Sequence, residues 1–107
     1  MIDKHNYMLL TTMTKQAAAS GKKLLENIHK IDTQAKPLWF DASHVGIVLT
    51  THHPAVDIWK LALDGIPDLN DILIVEIGND WTARIESKYD HWFTRHVGTP
   101  RYTLTQR

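Results

Sequence analysis

Asp71-Ile-Leu-Ile-Val-Glu-Ile-Gly78 is the stretch that decides the fold, because it is the least ambiguous element of the chain. Five of the six residues between Asp71 and Gly78 are apolar, and turn-forming residues flank the run on both sides. A short apolar run bounded in this way is typical of a strand that is buried on both faces. The sequence therefore predicts a strand over residues 71–78 in the middle of a sheet. Its one charged residue, Glu76, is expected to point to an edge, a rim or a partner.

Length and composition restrict the class of protein. The chain has 107 residues, a formal net charge of zero and no cysteine. This length corresponds to one domain, since domains run to roughly 100–200 residues. Without cysteine, disulfides and thiolate metal sites are excluded. There is no apolar segment typical of a signal peptide and no run near the roughly 20 apolar residues of a membrane span. We therefore expect a cytoplasmic protein without a membrane partner.

The charges are unevenly distributed along the chain. Residues 15–31 carry four lysines against one glutamate, and residues 32–80 carry eight acids against two lysines. Residues 81–107 carry five basic residues against two acids. A protein that wraps nucleic acid usually has a basic excess over its whole domain, which this chain lacks. The acidic middle is instead complementary to the basic ends of a second copy.

Hydrophobic periodicity predicts the other elements. Apolar residues that recur every three or four positions predict helices over residues 16–31, 54–65 and 85–97. Short apolar runs bounded by turn residues predict further strands over residues 6–13, 37–41 and 44–51. The buried stripe of the second helix is predicted to be Val56, Trp59, Leu63 and Ile66. That of the third helix is predicted to be Ile85, Tyr89, Trp92, Phe93 and Val97.

The order β-α-β-β-α-β is that of the ferredoxin-like split β-α-β arrangement, an α+β fold in which an antiparallel sheet carries its helices on one face. We expect a single domain over residues 1–98, which includes the C-terminal helix, and a tail over residues 99–107. Such a sheet leaves its other face uncovered. A second copy, a ligand or the helix predicted over residues 85–97 could cover that face.

Two stretches suggest a family. Trp39-Phe-Asp41-Ala-Ser43 places an Asp and a Ser in the turn before the third strand, and Asp68-Leu-Asn-Asp71 places acids before the last strand. In both respects the chain resembles the small ferredoxin-like family of CRISPR-associated Cas2 proteins, VapD-type ribonucleases and SinR-like proteins. The resemblance implies a homodimer in which the two sheets face each other.

The chain departs from this family at the end of its first strand. Cas2-type nucleases carry an acidic residue there, and a pair of these across the dimer can hold a metal ion. Here the segment reads Thr11-Thr12-Met13-Thr14-Lys15, without a carboxylate. A divalent ion needs several hard oxygen ligands, so the usual nuclease chemistry is expected to be missing.

Two groups of residues are candidates for contacts. Phosphate or RNA could be contacted by Thr14, Lys15, Lys22, Lys23, Lys88, His91 and Arg95. An ordinary helix cap and solvated helix faces account for the same residues, and we favour that interpretation. Trp81 follows the last strand and is expected at an interface, since tryptophan often anchors contacts. Tyr102 and Leu104 alternate with threonines at strand period, so the tail either pairs with a sheet edge or frays.

The seven histidines raise the question of a metal site. His52 and His53 are adjacent, so in extended chain their rings would point to opposite sides and could not easily share an ion. His52 and Asp57 could reach one ion, but an exposed polar loop accounts for the same residues, and we favour that interpretation. No nucleophile or metalloprotease motif is present. We predict no catalytic residue, no metal and no cofactor.

These observations favour a small homodimeric interaction module without catalytic chemistry, acting on a protein partner that the sequence does not identify. The resemblance suggests a phage or mobile-element accessory protein. One alternative is a metal-dependent ribonuclease of the Cas2/VapD type, which would depend on an acid such as Asp80. The other is an RNA-binding module that uses the basic residues named above.

Overall fold

In a computed structural model of the protein, the described residues are 3–12, 18–40, 44–66, 71–84 and 86–99. They form one antiparallel sheet of four strands, together with three helices, which confirms the predicted α+β class. The strands are β1 (His5–Thr12), β2 (Lys36–Phe40), β3 (His44–Thr51) and β4 (Ile72–Ile77). The helices are α1 (Ala18–Ile31), α2 (Ala55–Ala62) and α3 (Lys88–His96).

The chain forms two compact units. The first covers residues 1–76 and contains α1, α2 and all of the sheet except Ile77, and the second covers residues 77–107 and contains α3. The predicted tail, apart from Thr99, lies outside the described residues. Within the described ranges, no helix is long and apolar enough to cross a membrane.

The strands lie side by side in the order β2-β3-β1-β4. β1 and β3 are antiparallel and pair along their whole lengths, with Thr12 opposite His44 at one end. β2 pairs antiparallel with the other side of β3, with an irregularity between Pro37 and Trp39. β1 and β3 are therefore the central strands, and β2 and β4 are the margins.

Apolar side chains from one face of the sheet and from α1 and α2 form the core. Its fully buried members alternate along the strands and recur at helical spacing along the helices: Leu9, Leu24, Ile28, Val45, Ile47, Leu49, Ile58 and Ala62. Burial of one aliphatic side chain of this size stabilises the fold by about 1.5–3 kcal/mol. The strand and helix periods that predicted these elements thus also determine which side chains meet.

The prediction that the last strand is central and buried on both faces is wrong. β4 lies at the margin of the sheet, and exposure alternates from residue 72 to residue 75. Ile72 and Ile74 pack against the core, whereas Leu73 is 54% and Val75 is 40% exposed. The strand with both faces buried is β3, in which five consecutive residues, 45–49, are buried. A short apolar run indicates a strand, but it does not indicate how many neighbouring strands pair with it.

The buried stripe of α2 also differs from the prediction. Ile58 and Ala62 are buried, whereas Val56 is 57% and Trp59 is 47% exposed. α2 is apolar on more than one side, so spacing alone permits several stripes, and packing against α1 and the sheet selects the one that contains Ile58. Trp59 is therefore not a core residue, while Trp92 is buried as predicted.

Two polar side chains fix α1 to its neighbours. Asn27 is buried, and its Nδ2 donates to the carbonyl oxygen of Ala62, 2.8 Å away, at the end of α2. Asp32 follows α1, and its Oδ2 accepts from the main-chain N–H of Thr50 in β3 at 2.8 Å. The Asn27 bond satisfies a carbonyl that the end of a helix would otherwise leave without a partner.

The second unit is organised by α3. The Ser87 hydroxyl caps this helix by accepting from the N–H of Asp90 at 3.2 Å. After the helix, Gly98 has a φ of 111° and donates its N–H to the carbonyl of Phe93 at 3.0 Å. Glycine adopts this φ without steric cost, which accounts for the predicted helix stop. Trp92 and Phe93 are buried.

Candidate functional site

The side of the sheet that faces away from the core carries a row of residues across all four strands. Trp39 of β2 lies opposite Gly46 of β3, which in turn lies opposite Leu10 of β1. Leu73 of β4 points to the same side, since its neighbours in the strand point to the core. We call this side, with Leu10, Trp39, Gly46 and Leu73, the second face.

Gly46 allows the Trp39 indole to lie directly on the backbone of β3. A Cβ atom at Gly46 would lie only 2.5 Å from Cζ2 and 2.8 Å from Cδ2 of Trp39. Because several atoms of the ring system are this close, the face of the indole, and not its edge, covers Gly46. A glycine inside a strand often marks such a close approach. The result is a flat aromatic surface next to the aliphatic side chains of β1 and β4.

Asp71, the residue before β4, is held at the end of β1 by two hydroxyl groups. The Thr12 hydroxyl donates to Oδ2 of Asp71 at 2.7 Å, and the Thr11 hydroxyl donates to its main-chain oxygen at 2.7 Å. The first bond orients the carboxylate and the second fixes the backbone that carries it. The other carboxylate oxygen, Oδ1, makes no hydrogen bond with the part of the chain that the structure describes.

A groove of about 300 Å³ opens on the second face beside Trp39. The lining residues that the structure describes all belong to the first unit: Leu10, Thr11, Thr12, Trp39, His44, Val45, Asp71 and Leu73. Most of the lining surface is apolar, and the polar residues among those that line the groove are Thr11, Thr12, His44 and Asp71. This combination is typical of small-molecule sites, whose volumes begin at about 300 Å³.

The β4 margin is the other notable surface of the first unit. Near its far end, Oε2 of Glu76 lies 3.3 Å from Nδ1 of His5, at the start of β1. Since Asp71 meets the end of β1, these two contacts show that β4 runs opposite to β1. Burial, and secondarily the negative charge of Glu76, raises the pKa of Tyr7 above its ordinary value of 10.0.

The structure brings together one part of the predicted phosphate-contact set. Lys88, His91 and Arg95 are all exposed and lie on one stripe of α3, at the spacing that the sequence predicted. The Lys88 ammonium lies 5.4 Å from the centre of the Tyr89 ring. In the other unit, Lys22 of α1 is exposed and its neighbour at position 23 is half-buried. Positions 14 and 15 lie outside the described residues.

Trp81, the predicted interface residue, is half-buried in the second unit. Its ring centre lies 5.1 Å from that of Phe93, at an interplanar angle of 49°. Its Nε1 is buried and has no hydrogen-bond partner among the described residues. The other two predicted interface residues, Tyr102 and Leu104, lie outside the described residues.

The two adjacent histidines do not point to opposite sides. His52 and His53 lie in a bend, and their rings stack with centres 4.4 Å apart. The expectation from extended geometry is wrong because the chain turns between β3 and α2. Among the described residues, no group of three or more His, Asp or Glu side chains could hold a metal ion. One carboxylate and two hydroxyl groups at the end of β1 are too few ligands for a divalent ion.

Comparison with known proteins adds no relative: no family model, no curated protein and no solved structure matches this chain.

Sequence analysis missed the groove, although two signals pointed to it. Gly46 interrupts an otherwise apolar strand, which indicates a close approach by another group. Leu10 and Thr12 alternate along β1 with Leu9 and Thr11, which are buried, and this alternation assigns Leu10 and Thr12 to the second face. The pairing of Asp71 with Thr12 had no comparable signal, because it depends on the register between strands 59 residues apart in sequence.

Proposed function

We propose that this protein is a small homodimeric interaction module without catalytic chemistry of its own, and that two copies join along β4. The observation that supports the proposal is the β4 margin, where apolar Leu73 and Val75 are exposed at the end of the sheet. The outer edge of such a strand presents main-chain N–H and C=O groups that can pair with another strand.

The β4 margin lacks the features that normally prevent edge pairing. Natural sheets protect their edges with lysine, proline or bulges, whereas Ile-Leu-Ile-Val-Glu-Ile contains neither lysine nor proline. Its single charge, Glu76, lies near one end. A strand with this composition is a favourable surface for a second strand.

If a twofold axis passes through Ile74, the side chains on both faces of the two paired β4 strands have favourable neighbours. Two antiparallel β4 strands related by this axis place Leu73 of each copy opposite Val75 of the other, so the exposed apolar side chains cover each other. Glu76 then lies opposite Ile72 and apart from its own copy. A register centred on Glu76 would instead place the two carboxylates opposite each other, which is unfavourable.

The proposal also includes a specific fold, the ferredoxin-like arrangement, and a biological source for the protein, a phage or mobile element. The sheet order β2-β3-β1-β4, with two helices packed on one face, supports a ferredoxin-like arrangement. The resemblance to the Cas2, VapD and SinR-like proteins supports a phage or mobile-element accessory role acting on a further protein partner.

Sedimentation velocity over a range of protein concentrations tests the dimer. We expect the wild-type chain to sediment as a dimer at micromolar concentration. Val75→Lys introduces a charge at the margin and should shift the chain to a monomer. The matched control is Val56→Lys, since Val56 is 57% exposed on α2, and it should leave the dimer intact. A wild-type monomer at every concentration, or equal effects of both substitutions, contradicts the proposal.

The metal-dependent ribonuclease is the second candidate: Asp71 supplies one carboxylate at the end of β1, and the remaining ligands of the metal ion would have to come from the RNA or from a second copy. Incubation of labelled RNA with magnesium or manganese, with and without chelator, separates the two functions. The interaction module predicts intact RNA under both conditions. Cleavage that requires the metal and is lost in Asp71→Asn would support the nuclease.

A further inference from the structure

We propose that the exposed side of α2 binds one amphipathic helix of another protein, a helix that carries basic, acidic and basic side chains in a row beside its apolar stripe. The inference describes the further protein partner of the proposed function, and it rests on that function for the existence of such a partner. It does not depend on the β4 dimer, because it uses no residue of β4. Three features of α2 support it: an exposed apolar stripe, a charged row beside that stripe and the limited area of both.

The apolar stripe consists of Val56, Trp59 and Leu63, the residue that caps the C-terminal end of α2. These positions are three and four residues apart, so their side chains lie on one side of the helix, and we call them the α2 stripe. Val56 is 57% and Trp59 is 47% exposed, and Leu63 is half-buried. Among the described residues, the Trp59 ring has no stacking or hydrogen-bond partner. Tryptophan is enriched among the residues that dominate binding energy at protein interfaces, so the α2 stripe has the composition of a docking surface.

The shape of the α2 stripe favours a helix as the bound element. The stripe lies on the convex side of a helix, where no row of unpaired main-chain groups is available to an extended peptide. Apolar residues that recur at three and four positions form a seam into which the side chains of a second helix pack. Because α2 has eight residues, this seam covers about two helical turns.

A row of alternating charges runs beside the α2 stripe. Asp57, Lys60 and Asp64 each follow one residue of the stripe, so acid, base and acid recur at the spacing of the stripe itself. The chain continues to turn through Asp64, whose N–H donates to the carbonyl of Leu61 at 3.4 Å. Within the part of the chain that the structure describes, none of the three side chains has an ion-pair partner. The complementary row on a bound helix is base, acid and base.

The same row disfavours a second copy of α2 as the occupant. In a parallel pair of α2 helices, each charged residue would face its own equivalent across the seam. In an antiparallel pair, Lys60 would still face Lys60, and Asp57 would face Asp64 of the other copy. Charges beside a helix seam determine which helices pair, and like charges oppose pairing. The α2 stripe therefore fits a different protein, in keeping with a dimer that joins along β4.

The area of the α2 stripe predicts a weak and reversible complex. A stable interface usually buries about 800 Å² on each partner. A fully buried tryptophan contributes about 150–250 Å², and Trp59 is already about half covered in the free protein. One short helix side thus offers less than a stable interface needs. We expect a dissociation constant in the micromolar range or weaker, with Trp59 as the main anchor.

Binding of two designed helical peptides, followed by fluorescence anisotropy, tests the proposal. Both are end-capped and have about 18 residues, since shorter helices are marginal in water. Both carry the same leucine stripe, and residues on the far side give them the same net charge. The first has Lys, Glu and Lys beside the leucines, at the spacing of the α2 charges, and the second has Glu, Lys and Glu there. The wild-type chain should bind the first peptide saturably and about fivefold more tightly than the second.

Three variants locate the binding on α2. Trp59→Ala should weaken binding of the first peptide about thirtyfold. The matched control is Leu61→Ala, since Leu61 is 44% exposed on α2 but lies outside the stripe, and it should bind like the wild type. Lys60→Glu should weaken binding about fivefold, and a third peptide with Lys in place of the central Glu should restore it.

Sedimentation velocity separates this inference from the dimer. Trp59→Ala should remain dimeric, as expected for Val56→Lys, while it loses the peptide. A wild-type monomer that still prefers the first peptide would contradict the dimer alone. Equal binding of both peptides, no saturable binding, or unchanged binding in Trp59→Ala would overturn the helix proposal alone.

Two further results would assign the α2 stripe to another occupant and would also overturn the proposal. A monomeric Trp59→Ala would assign the stripe to a second copy of the chain. Co-sedimentation of the wild type with vesicles of phosphatidylcholine and phosphatidylserine, lost in Trp59→Ala but kept in Leu61→Ala, would assign it to a membrane surface.

Discussion

β3 and β4 are both short apolar strands, yet the structure gives them opposite environments. In β3 the five residues 45–49 are buried, whereas in β4 the exposed fraction is 54% at Leu73 and 40% at Val75. β3 has a strand on each side, while β4 pairs with β1 alone among the described residues. The comparison teaches that composition specifies a strand, whereas burial depends on how many neighbours that strand has. The exposed β4 is therefore the surface on which function is proposed.

The largest expected effect on stability comes from replacing a leucine by alanine in β3, and the same replacement in β4 provides the comparison. Leu49→Ala in β3 removes a side chain with no exposed surface and should lower the free energy of unfolding by about 2–5 kcal/mol. Leu73→Ala in β4 should cost less than about 1 kcal/mol, since about half of that side chain is already exposed. Urea denaturation at submicromolar protein measures both values. Equal losses would contradict the different environments of the strands.

A glycine in β3 and a glycine just after β4 provide the next comparison. Gly46→Ala forces the Trp39 ring off the backbone and should cost about 1–3 kcal/mol. Gly78→Ala meets no atom within 4 Å and should change stability by less than about 1 kcal/mol. Urea denaturation gives the stabilities, and tryptophan fluorescence reports movement of the indole. A neutral Gly46→Ala would contradict the close approach that forms the groove.

The smallest expected effect is a pH dependence at the boundary between β1 and β4. Tyr7 has a raised pKa in the folded chain, chiefly because of burial and secondarily because of Glu76. As pH rises through about 10, the unfolded chain therefore loses the phenol proton first, and stability decreases above that pH. Tyr7→Phe should remove this part of the decrease. Urea midpoints between pH 8 and pH 11 measure it, and identical profiles for both chains would contradict the assignment.

Much of the fold was predictable from local sequence. The predicted strand over residues 44–51 coincides with β3, and the first helix ends at Ile31 as expected. The Ser87 cap was not predicted, since α3 was expected to begin at residue 85, but Gly98 ends the helix as expected, by capping chemistry that depends only on nearby residues. These features were accessible because their causes lie within a few residues of each other along the chain.

The remaining features depend on contacts between distant residues. β4 lies at the edge of the sheet because it pairs with β1 at the end of the strand order. Ile58 is buried in place of Trp59 because α2 packs on α1 and the sheet. The groove combines Trp39, Gly46 and Asp71, which come from different elements and meet only through the register of the sheet. Hydrophobic periodicity carries no information on register between strands that are far apart in sequence.

Hydrogen exchange at single amides, measured at two protein concentrations, tests the central claim most directly. The account predicts that β3 amides are protected at both concentrations, because β3 has strands on each side. Amides of β4 that point away from β1 should exchange rapidly in dilute solution and become protected at high concentration, when two copies pair. Protection of those amides equal to that of β3 in dilute solution, or no gain on concentration, would contradict the account.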